Sequence, residues 1–174
     1  SELKGKTLSL IGFGNIGKRV AQIAKGFCMK LLVYDPFLPS SEIEKEGAVS
    51  VVFDEALAKG DIISIHVPLS KKTESLIGNR EISLMKPSAY LLNTSRGKIV
   101  DLKAVEIALK HKKIAGVAID VLDEEPPKER PHIFDFSNVV ATPHIGGNTK
   151  ECILSIANIA SRDIKATLAG VKPK

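Results

Sequence analysis

The sequence has no tryptophan, two cysteines in 174 residues and only 5 % aromatics, too few to interleave with lysines along a nucleic-acid-binding face. Cys28 and Cys152 stand in no CxxC pair and no histidine-rich stretch. That argues against a structural zinc or any other metal site, and against a disulfide framework, and makes a reducing compartment the expectation. Both cysteines are expected to be buried as small hydrophobes. No apolar run approaches the roughly 20 residues that cross a bilayer, and the opening SELKGK lacks the apolar stretch of a secretory signal. A cytoplasmic protein with no membrane partner is expected. The net charge of +5 would suit an acidic ligand, but the lysines are scattered. Their one cluster, KHKK at 110–113, follows a helical pattern, where cations complement the helix dipole. Nucleic acid is therefore not an expected partner.

What the chain does have is a rhythm. A length of 174 residues suits one domain that buries about two thirds of its unfolded surface. Apolar, β-branched runs (TLSLIG, KLLVYD, AVSVV, DIISIHVP, AYLLNTS, IAGVAIDV, NVVATP) alternate with helical patterns, of which IGKRVAQIAKG is the first. Strands that are apolar throughout and separated by helices predict a parallel sheet covered on both faces, a doubly wound α/β (Rossmann) fold. Residues 122–136, LDEEPPKERPHIFDF, break the rhythm with three prolines and read as a loop. No repeat, low-complexity segment or internal linker appears. In the last helical segment Ile153, Ile156, Ala157, Ala160, Ile164 and Leu168 recur at three- and four-residue spacing, which predicts a core-facing stripe. Leu154 and Ile159 lie off it and hint at a further buried surface.

IGFGNIG places Gly12, Gly14 and Gly17 in GxGxxG spacing between the first strand and the first helix. The glycines suit a tight turn, close approach of backbone to a pyrophosphate, and close helix–strand packing, with the helix N-terminus facing the anion. Asp35, 18 residues beyond Gly17 at the end of the second strand, can accept hydrogen bonds from a ribose diol. It would repel a 2′-phosphate and no arginine follows it closely, so NAD is favoured over NADP. HVPLS puts His66 and Pro68 at the end of the fourth strand. Pro68 either walls an adenine or merely ends the strand, and His66 is read as a strand-end residue with no catalytic claim.

Three more strand ends carry polar signatures. LLNTSRG sets Arg96 beyond the fifth strand, where a guanidinium fork could grip a carboxylate or simply be solvated. GVAIDVLDEEPP ends a strand at Asp120, which could take a nicotinamide amide or cap a turn, and continues to Glu124 and Glu125, of which composition selects neither. VVATPHIGGNT sets His144 between a proline and two glycines, where the histidine could pack, cap the helix that follows or serve as an acid/base group.

Taken together, ELKGKTLSLIGFGNIG, HVPLSKKTESLIG, LLNTSRGKIVD, AIDVLDEEPP and ATPHIGG resemble, in order and along the whole chain, the D-isomer-specific 2-hydroxyacid dehydrogenases. The resemblance implies a catalytic trio of Arg96, Glu125 and His144, so it selects Glu125 over Glu124. It implies NAD held by Gly12, Gly14, Asn15, Ile16, Gly17, Asp35, His66, Val67, Pro68, Thr73, Thr94, Asp120, His144 and Gly146. Two positions depart from the family pattern. Ser9 stands where many members have glycine, and His132 stands at an apolar position. Glutamate at 125 weighs against the formate dehydrogenase branch, which has glutamine there.

By that resemblance, NADH would give hydride to a 2-oxo acid and His144 the proton, while Arg96 pins the carboxylate and Glu125 steadies the imidazolium. The family's substrate domain is built from sequence on both sides of the cofactor domain. The chain therefore reads as an isolated cofactor domain that binds NAD but turns over poorly, from a protein that forms homodimers through this domain. An NAD(H)-sensing corepressor would share the same trio. An S-adenosylhomocysteine hydrolase-like protein would leave the arginine, glutamate and histidine motifs without a common purpose.

Overall fold

The computed structural model describes residues 2–173. They form two compact units, one ending at Thr142 and one beginning at Pro143. The first contains β1 (Thr7–Ile11), α1 (Asn15–Gly26), β2 (Lys30–Tyr34), α2 (Ser40–Lys45), β3 (Val49–Ser50), α3 (Phe53–Lys59) and β4 (Ile62–Ile65). It continues through α4 (Asn79–Leu84), β5 (Tyr90–Asn93), α5 (Leu102–Lys110), β6 (Gly116–Ile119) and β7 (Val139–Ala141). All strands are parallel, in the order β3-β2-β1-β4-β5-β6-β7. The sheet is the expected Rossmann type. Ile11 lies beside both Tyr34 and Ile65 in register, so the chain winds outward on either side of β1 and leaves a crevice beyond the carboxyl ends of β1 and β4.

Alternation along each strand builds two cores. Leu8 and Leu10 pack with Phe13, Ala21, Ala24 and Ile43 beneath α1 and α2, whereas Ile11 joins Ile63, Ile65, Leu91 and Val105 on the other side. Burial on both faces is why these strands read as continuous apolar runs. Ser9 shares the Ile11 face and is fully buried, and its Oγ has no hydrogen-bond partner among the described residues. A Cβ at Gly60 would lie 2.7 Å from that Oγ, so only glycine at 60 leaves room for a serine at 9.

Several expectations need correction. The sequence pattern gives no sign of α4, a six-residue helix held by tertiary contacts. Ile82 and Met85 are buried, the Gly78 N–H donates to Glu81 Oε2 at 3.1 Å, and Arg80 forks onto Asp54 of α3 at 2.6 and 3.1 Å. The loop at 122–136 contains a 3-10 turn, His132–Asp135, that drives Ile133 into the core while His132 stays exposed. Cys28 is exposed rather than buried, because the turn between α1 and β2 passes through it at φ 55° and points its side chain outward; Cys152 is half-buried.

The second unit holds α6 (Lys150–Leu168), and none of its residues is buried. Ile153, Ile156, Ile164 and Leu168 of the expected core stripe are exposed, as are Ala157, Ala160, Leu154 and Ile159. A single helix has no second element within its own unit against which to close that stripe. Among the described residues no helix is long and apolar enough to cross a membrane.

Candidate functional site

Because every strand runs the same way, the ends of β1, β2, β4, β5 and β6 share one edge of the sheet. At the end of β1, Gly12 adopts φ +96° and donates its N–H to Tyr34 O at 2.9 Å. A Cβ there would lie 2.7 Å from His66 O, and one at Gly17 would lie 2.5 Å from Gly12 O. Both glycines are thus required by the protein's own backbone. Gly14 differs, since a Cβ there would meet nothing within 4 Å. It is the N-cap of α1, no side chain caps the helix and no acidic residue occupies its first turn. The first amides of the helix, at Asn15, Ile16 and Gly17, therefore face an open side with the positive end of the dipole behind them. This is a cradle that glycine leaves clear and that suits a pyrophosphate.

Asp35 follows β2 and is fixed from two sides. Its Oδ2 accepts from Phe13 N at 2.8 Å and its Oδ1 from Phe37 N at 2.9 Å. The first bond ties the acidic residue directly to the glycine turn. Each carboxylate oxygen keeps a second lone pair, enough to receive the two hydroxyls of a ribose.

Past β4, the His66 N–H donates to Ile11 O at 2.7 Å and its Nε2 lies 2.9 Å from Ser64 Oγ. Burial lowers the His66 pKa to about 4, so the ring is neutral at pH 7. Val67 Cγ1 lies 2.8 Å from where a Gly12 Cβ would sit. Pro68 is exposed, and Thr73 Oγ1 closes its loop by donating to Pro68 O at 2.7 Å and accepting from Ser70 N at 2.8 Å.

The ends of β5 and β6 are locked together. A Cβ at Gly97 would lie 2.1 Å from the Leu122 carbonyl carbon, so the Arg96 turn presses against the backbone leading to Glu125. The Leu122 N–H in turn donates to Glu125 Oε1 at 2.7 Å. Arg96 is exposed and its Nη1 donates to Ser95 O at 2.6 Å; Thr94 beside it is also exposed. Buried Asp120 donates its N–H to Asn93 O at 3.0 Å and accepts a short hydrogen bond from Thr142 Oγ1.

Asn93 and Thr142, which organise these ends, did not stand out in the sequence. Each lies inside a motif valued for another residue, and an asparagine or threonine at a strand end is an ordinary turn former. The structure thus brings Gly12, Gly14, Asn15, Ile16, Gly17, Asp35, His66, Val67, Pro68, Thr73, Thr94, Arg96, Asp120 and Glu125 to one edge of the first unit.

His144 and Gly146 belong to the second unit. There His144 adopts φ 54°, a left-handed conformation uncommon for a residue with a side chain. The turn is closed by Asn148 N donating to Ile145 O at 3.0 Å, and Thr149 Oγ1 caps α6 by accepting from Cys152 N at 3.1 Å. Among the described residues no group of three or more histidines, cysteines, aspartates or glutamates could hold a metal ion.

Known proteins share this fold and much of this sequence. The model of the D-isomer specific 2-hydroxyacid dehydrogenase NAD binding domain matches residues 1–146. A glyoxylate reductase of Thermococcus litoralis is 44 % identical over 171 residues, which cover 98 % of this chain and 51 % of that protein. A D-3-phosphoglycerate dehydrogenase of Methanocaldococcus jannaschii is 43 % identical, covering 97 % of this chain and 32 % of its own length. The chain thus spans from about a third to about half the length of these curated relatives. The crystal structure of a D-lactate dehydrogenase with NAD+ from Lactobacillus jensenii has a TM-score of 0.90 at 35 % identity, covering 99 % of this chain and 56 % of that one. The chain belongs to the D-isomer specific 2-hydroxyacid dehydrogenases, as an NAD-binding domain of that family.

Proposed function

We propose that this chain is the cofactor-binding part of an enzyme that moves a hydride between NAD(H) and a D-2-hydroxy acid/2-oxo acid pair. Its discontinuous substrate domain would lie outside these 174 residues. The observation that carries the reading is the Gly97–Leu122 contact, which joins the Arg96 turn to the Glu125 loop on the edge that also bears the glycine turn and Asp35. Gly12, Gly14, Asn15, Ile16, Gly17, Asp35, His66, Val67, Pro68, Thr73, Thr94, Asp120, His144 and Gly146 are the residues proposed to hold NAD. When bound, NADH supplies the hydride. Arg96 holds the substrate carboxylate and polarises the neighbouring carbonyl. His144, as imidazolium, gives its proton to the carbonyl oxygen, and Glu125 is the acidic partner that orients the ring and offsets its charge.

From the family resemblance we also infer a homodimer through this domain, and from the cysteine usage and the lack of a long apolar run a cytoplasmic location. Taken alone, the 174 residues are expected to bind NAD and to reduce 2-oxo acids poorly, since one wall of a cleft leaves the reacting carbonyl in water. The decisive experiment is His144→Gln in the full-length protein. It should lower kcat by about 100-fold or more, the usual contribution of a general acid, with NADH affinity nearly unchanged. A variant that keeps most of its activity removes His144 from the mechanism. Tight NADH binding by the wild type without turnover of any 2-oxo acid would instead favour a sensor.

A further inference from the structure

We propose that Asn93 is the positioning residue for Arg96, setting the angle at which the guanidinium meets a substrate carboxylate. The proposal rests on reading Arg96 as the carboxylate-binding group. Asn93 ends β5 and is 1 % exposed, one of four buried polar residues among those described. A buried amide is costly unless its hydrogen bonds are made, and an apolar side chain would fill the same space without that demand. All the side-chain bonds of Asn93 go to the turn ahead of it. Its Nδ2 donates to Arg96 O at 2.9 Å, while Oδ1 accepts from Ser95 N at 3.1 Å and from Ser95 Oγ at 2.9 Å.

These bonds reach the guanidinium in one step. Arg96 Nη1 donates to Ser95 O at 2.6 Å, so the direction of the fork depends on where that carbonyl sits, and Asn93 holds the peptide units on either side of it, through Ser95 N and Arg96 O. The Arg96 carbonyl is gripped by Asn93 on one side, and the following glycine is wedged against Leu122 on the other. Between those two fixed points Arg96 runs extended, at φ −145° and ψ 140°. One donor of the fork rests on Ser95 O, and a guanidinium has four more for a bidentate carboxylate. The turn needs a donor for a carbonyl and an acceptor for an amide from one short side chain, and asparagine offers both. Asn93 O also accepts from Asp120 N at 3.0 Å, so the same residue anchors the arginine turn to the strand end that bears Asp120.

The test is Asn93→Asp in the full-length protein, which keeps the acceptor toward Ser95 and loses the donor toward Arg96 O. Steady-state kinetics are compared for a 2-oxo acid and for the matching 2-oxo amide, which has no carboxylate. A small misplacement of a binding group is expected to lower kcat/KM for the acid by about tenfold or more. NADH affinity should stay within about twofold, and the amide should lose about threefold at most. Ser95→Ala, which removes only the hydroxyl bond and keeps the fold, should show the same acid-selective loss at about threefold. Equal losses for acid and amide in either variant, or a parallel fall in NADH affinity, would show that Asn93 serves only stability and overturn the proposal. Arg96→Ala is the control. If it leaves the preference for acid over amide intact, the reading of Arg96 has failed and the proposal falls with it. If it abolishes the preference while the Asn93 and Ser95 variants do not, only the positioning role has failed.

Discussion

Gly97 and Leu122 meet backbone to backbone. A Cβ on Gly97 would lie 2.1 Å from the Leu122 carbonyl carbon, 2.3 Å from its oxygen and 2.4 Å from Asp123 N. No flexible side-chain tip is available to yield. Gly97→Ala must therefore part the two loops, at a cost of about 2–3 kcal/mol if the strain relaxes only partly. Urea unfolding and the kcat/KM of the full-length protein should both fall. Wild-type values for each would mean that the close approach is not required.

Gly12 and Gly14 are two residues apart and should respond in opposite ways. Gly12→Ala places a methyl 2.7 Å from His66 O on a backbone at φ +96°, and should destabilise the domain by more than about 2 kcal/mol. Gly14→Ala meets open space, costs under about 1 kcal/mol as an N-cap change, and should weaken NADH binding about tenfold or more by obstructing the anion cradle. Urea melts with fluorescence titrations of NADH separate the two effects.

His66 makes stability depend on pH. Its folded pKa is lowered from 6.5 to about 4 by burial, so between those values the unfolded chain binds the proton and the folded chain does not. The stabilising preference for a neutral ring is fully present above pH 6.5 and is lost as pH falls toward 4, on the order of 3 kcal/mol across the window. His66→Gln should flatten the stability profile between pH 6.5 and 4. An unchanged profile would assign the dependence to other groups.

Ser9 carries a buried hydroxyl without a partner among the described residues. Ser9→Ala keeps the Cβ and removes the unsatisfied group, so it should stabilise the protein by about 1 kcal/mol. Urea denaturation checks the sign, and a loss of stability would show that the hydroxyl is satisfied in solution.

The five inner strands were legible because burial on both faces of a parallel sheet leaves continuous apolar runs. Helix α4 was not. Its six residues carry one core anchor, Ile82, with Met85 buried just past its end, and its polar face is held by Asp54 from α3, a residue far away in the sequence. The stripe on α6 shows the opposite failure. Three- and four-residue spacing says that a helix has an apolar face, but whether anything covers it depends on a neighbour that spacing does not name. Cys28 is exposed for a local reason, since its side-chain direction follows from a left-handed turn that composition does not announce.

In the candidate site, the sequence by itself determined which chemistry was present: glycines where backbone must bend or stand clear, an acid at the end of β2, and a guanidinium and a carboxylate at later strand ends. Local spacing suffices for these because strand–turn–helix geometry places a strand's last residues at the same edge in every parallel unit. Only the tertiary structure decided which of these groups are held and by what. That Asp35 is tied to Phe13, that Gly97 rests on Leu122, and that Asn93 shapes the turn before Arg96 are contacts between or within turns. Their energies depend on ångström-scale approach, which no pattern of residue types encodes.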